Sequence, residues 1–410
     1  MLLPSVRQGR SMTVLLAGIL VFHAGWYMLL PFLAVLLTGR RHLSPAEVGL
    51  VMAAQSLALL LGSLAGGALA DRAGRKLTLV GGLGFRALGV GGLGVAAGLP
   101  GLLLAALVAG FGGGLYGPAA KAAIATLAAG AAGAPGAAAG ADSGRTAAFS
   151  LRGIAANIGT STGPLIGSLL MKSPMIVLFG AAAALHAALG LATWVLLDDE
   201  KAGEGRGPAS LQGLLADRPY VAFTAVTVLA WALFTQLAIA VPLYAREALG
   251  LEASIGLLWT FSSLAVIGGQ VAVTRTLLSR LQPMSAMAIG AALLGGGLAA
   301  VGLARNFAGL LAAVLLFVFG EMFLVPTADT TVSQMVRAGA VGSYFGIASF
   351  AWGLGEGIGN LTGGALMQFA LRSGHLYVPW VAYGVFGLAV GGLYWALRRW
   401  RSMRARLARG

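Results

Sequence analysis

Six ionisable side chains interrupt stretches that are otherwise apolar: the acids Glu321, Asp329 and Glu356, and the bases Arg86, Lys121 and Arg152. A charge at the centre of a hydrocarbon layer costs about 2.5–3.5 kcal/mol on insertion scales, so each needs a reason to be there. A carboxyl reached in turn from two sides of a barrier can load and release a proton. A base in the same setting can hold an anionic or carbonyl group. Glu321 and Glu356 stand about 15 residues from an end of their apolar stretch, close to mid-depth at the helical rise, whereas Asp329 lies nearer an edge where water reaches it. All three acids fall in the second half of the chain and all three bases in the first.

Other polar and aromatic residues share these stretches. His23 and Tyr27 lie on one face of the first; Arg152 and Asn157 sit on the fifth; Trp231 and Gln236 are on the seventh, Gln270 on the eighth, and Asn360 one turn from Glu356. They are candidates to line a substrate cavity, with His23 a further candidate for proton transfer. Each has a plainer alternative. The acids can sit in static structural pairs, His23 can be a satisfied interior residue, Arg86 a structural partner, and Lys121 can extend its amine toward headgroups.

The elements that must position these groups follow from composition. The chain has 410 residues, 58% hydrophobic and only 10% charged, with mean hydropathy +0.87. A soluble chain carries about a quarter charged residues, so this fold must meet lipid. The absence of Cys and the four scattered His leave no spacing for a disulfide or a metal site, and no cofactor is expected. The net charge of +14 does not point to nucleic acid, because the bases punctuate the gaps between apolar runs rather than cluster beside aromatics. The first run is too long for a signal peptide and has no small-residue cleavage site after it.

A helical span needs about 20 apolar residues. Twelve stretches qualify: Thr13–Thr38, Ala46–Ala70, Leu77–Leu99, Gly101–Leu127, Ala147–Met171, Met175–Leu197, Tyr220–Tyr244, Ala253–Leu278, Met284–Ala304, Phe307–Met335, Val341–Ala370 and Tyr377–Leu397. With the N-terminus inside, eighteen of the 27 Lys and Arg fall on the cytoplasmic side, six outside and three within spans, which places both termini in the cytoplasm. The Ala/Gly-rich segment Ala128–Asp142 reads as a flexible loop. The basic tail RRWRSMRARLARG reads as lying against anionic headgroups.

The two halves repeat. VGLVMAAQSLALLLG (Val48–Gly62) matches IGLLWTFSSLAVIGG (Ile255–Gly269) at an offset of 207, and GTSTGPLIG (Gly159–Gly167) matches GEGIGNLTG (Gly355–Gly363) at 196. The shorter offset places extra residues in the first half, where the Ala/Gly-rich loop supplies them. The expected fold class is therefore an all-α membrane protein of twelve transmembrane helices in two pseudo-symmetric six-helix bundles. Its divisions are 1–198, a cytoplasmic linker 199–218, and 219–410.

At the end of the second stretch stands Gly67-Ala68-Leu69-Ala70-Asp71-Arg72-Ala73-Gly74-Arg75-Lys76. It resembles the loop signature G-x-L-a-D-R-x-G-R-K of the major facilitator superfamily, with every defining position filled. Gly67 would let helices approach and Gly74 permits a tight turn. Asp71, with Arg72, Arg75 and Lys76 around it, can face the positive N-terminal end of a helix from the other half. In the family that helix is span eleven, here starting near Val341, and the contact latches the cytoplasmic side shut. The second-half counterpart Ser279-Arg280-Leu281-Gln282-Pro283 has no acid, so any latch is asymmetric.

The fifth stretch carries Gly159, Gly163, Pro164 and Gly167, similar to the core of the antiporter signature in the multidrug-efflux branch of the superfamily. The fourth stretch lacks that branch's Arg before Gly-x-Gly, and the first lacks its acid, while Tyr116-Gly117-Pro118 resembles its multidrug members. The resemblance implies that spans one, four, seven and ten line a central cavity, which makes Glu321 the best placed proton carrier and Glu356 the second. It implies a monomeric secondary transporter of the cell membrane that exports an amphipathic small molecule in exchange for protons. Export of a sugar, siderophore or other polar or anionic solute, and import by proton symport, are alternatives within that class. A lipid-modifying enzyme would need a nucleophile or metal cluster near the headgroups, and a pump driven by nucleotide would need a G-x-x-x-x-G-K-S/T loop; neither pattern occurs.

Overall fold

The computed structural model describes residues 4–132, 141–198, 216–335 and 341–400. Long apolar runs can satisfy their backbone groups without water only by coiling, and among the described residues fourteen α-helices form. They are α1 (Pro4–Tyr27), α2 (Leu30–Arg41), α3 (Pro45–Arg72), α4 (Arg75–Val95), α5 (Gly98–Ala132), α6 (Ala141–Leu170) and α7 (Met175–Leu196), followed by α8 (Arg218–Phe234), α9 (Ala240–Glu247), α10 (Ile255–Thr276), α11 (Pro283–Val301), α12 (Phe307–Met335), α13 (Val341–Ser373) and α14 (Val378–Arg399).

Among the described residues ten stretches are long and apolar enough to cross a membrane, counting α1 with α2 and α8 with α9 as one each. Helices α6 and α13, on the expected fifth and eleventh spans, are 30 and 33 residues long but fall outside that set. Both carry polar and small residues, including Arg152 and Asn157 on α6 and Glu356 and Asn360 on α13, which lower their hydropathy.

Three expectations change. The first and seventh stretches are each broken in two. Pro31 and Pro242 lack an N–H, and the turns tighten there: Leu29 N donates to Trp26 O and Phe32 N to Leu29 O, both at 2.9 Å, and a short 3₁₀ turn spans Thr235–Leu237. The segment expected as the loop Ala128–Asp142 is helical up to Ala132 and again from Ala141, because alanine has the highest helix propensity; residues 133–140 lie outside the described ones. The basic tail beyond Trp400 also lies outside them.

The described residues group into two compact units, Met1–Phe32 with Leu57–Gly205 and Leu33–Ser56 with Arg206–Gly410. Lipid and apolar side chains attract helices about equally, so close backbone contact through small residues must hold each unit together. In the first, Gly159, Gly163 and Gly167 of α6 lie along α1; a Cβ on Gly163 would stand 2.7 Å from the Ala24 carbonyl and 2.9 Å from the Met28 nitrogen. In the second, Gly355, Gly359 and Gly363 of α13 lie along α8 and the turn after it, and a Cβ on Gly359 would stand 2.6 Å from the Ala232 carbonyl. The repeated sequence is thus a repeated packing stripe. In the second unit α11 meets α14 the same way, where a Cβ on Gly295 would reach 2.7 Å from Gly387 Cα.

Candidate functional site

Glu321 stands at the centre of α12, fourteen residues from either end, about 21 Å along the axis in each direction. Its neighbours Met322, Phe323 and Leu324 are buried, whereas Glu321 itself is only partly covered. No described side chain hydrogen-bonds or ion-pairs with its carboxyl group. Five residues on, Pro326 interrupts the helix, and Gln270 of α10 donates from Nε2 to the Met322 carbonyl at 3.1 Å.

The second unit also holds an aromatic group that reaches α12 at Phe317, one turn before Glu321. Trp231 on α8 packs edge-on to Phe234 at 5.4 Å and tilts against Trp352 of α13 at 5.7 Å, and Phe234 meets Phe317 of α12 at 5.8 Å. Gln236, fully buried where α8 breaks, donates to the carbonyls of Ala232 and Gly359 at 2.8 and 2.9 Å. Its amide therefore secures the kink to α13 rather than projecting into open space. Asp329 is exposed and Glu356 half-buried. Asn360 is 1% exposed and donates to Ser56 Oγ at 3.3 Å.

The second unit also contains contacts that the sequence did not reveal. Arg246, near the end of α9, donates from Nη1 to Thr38 Oγ1 at 2.6 Å and to the Val35 carbonyl at 2.9 Å, both on α2. Glu247 and Glu252 flank its guanidinium at 3.5 and 3.6 Å. Gly39 leaves room for that head group, since a Cβ there would stand 2.5 Å from Nη1. Beside this clasp, the Ala46 N–H donates to Gln368 Oε1 at 3.1 Å, and Gly49 and Gly364 bring α3 and α13 into direct backbone contact. At the other end of the unit, Tyr344 donates to Asp217 Oδ2 at 2.5 Å and buries with it, joining the start of α13 to the start of α8. Arg246 had read only as a topology charge; the one signal for more was its pairing with two nearby acids in a short connection.

The first unit places its bases differently. Arg86 is 1% exposed, donates to the Ala109 carbonyl at 2.9 Å and sits over the Trp26 ring at 4.1 Å and the Phe22 ring at 5.5 Å. It is a buried cation caged by aromatics. His186, also fully buried, meets Phe22 edge-on at 5.6 Å. His23 Nδ1 lies 2.7 Å from the Ile19 carbonyl and donates to it in the tautomer that carries the proton on that nitrogen. Tyr27 and Arg152 are partly exposed, and Asn157 and Lys121 exposed.

In the expected loop motif, Gly74 has φ +93°, a conformation that favours glycine and makes the tight turn from α3 into α4. Arg72 is exposed. Arg75 and Lys76 line a cleft with Ser11 and Asp198, and Lys76 Nζ stands 5.3 Å from the Trp194 ring centre. Among the described residues nothing lies within 4 Å of where a Cβ on Gly67 would be. Close approach falls one turn earlier and beside it, on Gly62 and Gly66, where α3 meets the backbone of Phe111 and Leu115 on α5. The side chain of Asp71 lies outside what the structure describes. Pro164 is buried within the packing stripe of α6. Among the described residues no three His, Cys, Asp or Glu side chains come together where they could hold a metal ion.

Many apolar spans and an internal repeat describe a multi-span membrane protein. The pattern of the Major Facilitator Superfamily matches residues 15–360, and the chain belongs to that superfamily. An uncharacterized MFS-type transporter of Mycobacterium tuberculosis is 28% identical over 94% of this chain and 92% of its own length. The multidrug resistance protein MdtH of Cronobacter sakazakii is 25% identical over 99% and 98%, and that of Aeromonas hydrophila 23% identical over 89% of each. Among solved structures, a mutant of the nucleoside transporter NupG superposes with TM-score 0.80 at 15% identity, covering 94% of this chain and 99% of that one. The POT family transporter PepTSo gives 0.78 at 15%, covering 97% and 98%. These likenesses to solved structures concern the fold.

Proposed function

We propose that this transporter exports an amphipathic small molecule across the cell membrane in exchange for protons. The observation that carries the reading is Glu321: a carboxyl at the centre of a long apolar helix, partly open and with no described partner. Keeping such a group has a cost unless proton exchange uses it. The kinship with MdtH proteins, named for multidrug resistance, supports an amphipathic substrate. In this reading twelve spans form two six-helix halves, 1–198 and 219–410, joined by a cytoplasmic linker at 199–218. The chain works as a monomer with both termini inside, where most of its bases fall. Asp71 and its neighbours latch the cytoplasmic side, and the Arg246–Thr38 clasp belongs to the outer side. Glu321 takes up a proton from outside and yields it inside while the substrate leaves.

The test is flux in sealed everted vesicles with an imposed pH gradient and ethidium as the probe. Accumulation that collapses with a protonophore is expected; no gradient-dependent movement of ethidium or of other lipophilic cations would refute the reading. A polar or anionic solute is the second reading. It is supported by Arg152 and Lys121, which bring positive charge to exposed positions of the first unit. Uptake of a carboxylated solute in place of ethidium distinguishes the two.

A further inference from the structure

Pro326 has no N–H, so the carbonyl four residues earlier, that of Met322, loses its partner in the helix. A buried carbonyl without a hydrogen bond is costly, most of all where no water is at hand. Gln270 of α10 supplies the missing donor: its Nε2 lies 3.1 Å from Met322 O and 3.2 Å from Thr274 Oγ1, one turn along its own helix. The adjoining Gly269 leaves room for the Met322 thioether, since a Cβ there would stand 3.2 Å from Cε. Glu321 is the residue just before Met322 in the chain, so the bridged peptide group is the one that follows its own.

The first half shows what this arrangement replaced. Shifted by 208 positions, Pro118 corresponds to Pro326, Gly114 to Met322 and Gly113 to Glu321; shifted by 207, Gly62-Ser63 correspond to Gly269-Gln270. There α3 and α5 touch directly: a Cβ on Gly114 would strike the Leu59 carbonyl and reach 2.6 Å from the Ser63 nitrogen. No long side chain fits between them. The second half has a wider gap, filled by Met322 and spanned by an amide, and that gap lies beside its acid.

We propose that Gln270 is a positioning residue: its amide takes over the hydrogen bond that Pro326 denies to Met322, and so fixes the backbone of α12 beside Glu321. The proposal rests on Glu321 being the proton-exchanging group, and its test is chosen to stand apart from that reading. The bridge sets the direction of the Met322 carbonyl dipole near the carboxyl group and the angle at which that group meets its surroundings. Breaking it therefore changes the proton equilibrium of Glu321 and not only the packing of α12.

The experiment is an infrared pH titration of the full chain in lipid nanodiscs, with the Glu321 carboxyl band assigned from its loss in Glu321→Gln. Gln270→Met, which keeps the side-chain volume, and Gln270→Ala are each expected to displace the midpoint by roughly half a pH unit or more. Pro326→Ala restores the backbone N–H. In that background the same Gln270 substitutions are expected to shift the midpoint by less than half as much, because Met322 has regained its partner. An unmoved midpoint in Gln270→Met, or equal displacement in both backgrounds, overturns the proposal. If the cycle holds while Glu321→Gln leaves gradient-driven ethidium flux intact, the positioning role stands and the transport role of Glu321 fails.

Discussion

Arg246 offers the sharpest perturbation, because its partners are few and known. It donates two charge-assisted hydrogen bonds to α2, to Thr38 Oγ1 at 2.6 Å and to the Val35 carbonyl at 2.9 Å. Such bonds contribute about 1.5–3 kcal/mol each when buried. The Arg246 side chain is 24% exposed, and its acids Glu247 and Glu252 are 35% and 46% exposed, so water screens the ion pairs and they add little. A combined loss of about 2–3 kcal/mol follows for Arg246→Met, which keeps the side-chain length and removes the donors. At about 1.4 kcal/mol per factor of ten, separation of α2 from α9 should become roughly 30-fold to 140-fold more frequent. The chain has no cysteine, so a single reporter is clean. Val35 is fully buried in the clasp, and Val35→Cys should react slowly with a membrane-impermeant maleimide. In the Arg246→Met background the labelling rate should rise by about the factor given. A rate unchanged within twofold would show that the two bonds do not hold the helices together.

Other consequences are as direct. Gly359→Leu should abolish a folded product, because its side chain would need the space of the Ala232 backbone; Gly67→Leu, at a position with open space, should fold and retain thermal stability in detergent. Tyr344→Phe removes a hydrogen bond to the buried Asp217 carboxylate and should cost about 1–3 kcal/mol, read as a lower Tm in detergent. Arg86→Met should destabilise the first unit by about 1–2 kcal/mol by emptying the cage of Trp26 and Phe22, with ethidium affinity unchanged, and a lost affinity at normal Tm would return Arg86 to the substrate site.

The legible parts were those written locally. Apolar runs separated by bases report helices wherever hydropathy alone decides, and ten of the expected twelve stretches meet that measure in the structure. The stripe of Gly159, Gly163 and Gly167 and its echo at Gly355, Gly359 and Gly363 could be seen because the repeat preserved it, and both serve the same contact. The breaks after Tyr27 and Phe234 escaped, since a broken span is as apolar as an intact one; Pro31 and Pro242 were the available signals. The cage of Arg86 escaped for a related reason: spacing shows that a base lies in a span but not that two rings from another helix enclose it. Arg246 and Thr38 stand 208 residues apart, and no periodicity links them. The bridge from Gln270 was within reach, because a proline in a helix always leaves one carbonyl to be satisfied and a buried amide is its natural donor.

Proton movement tied to one side chain is the decisive observable. Purified chain in proteoliposomes, with a pH dye in the lumen and ethidium outside, should couple ethidium entry to proton exit, and Glu321→Gln should bind ethidium yet move neither. Equal proton and ethidium flux in Glu321→Gln and the unaltered chain would contradict the account.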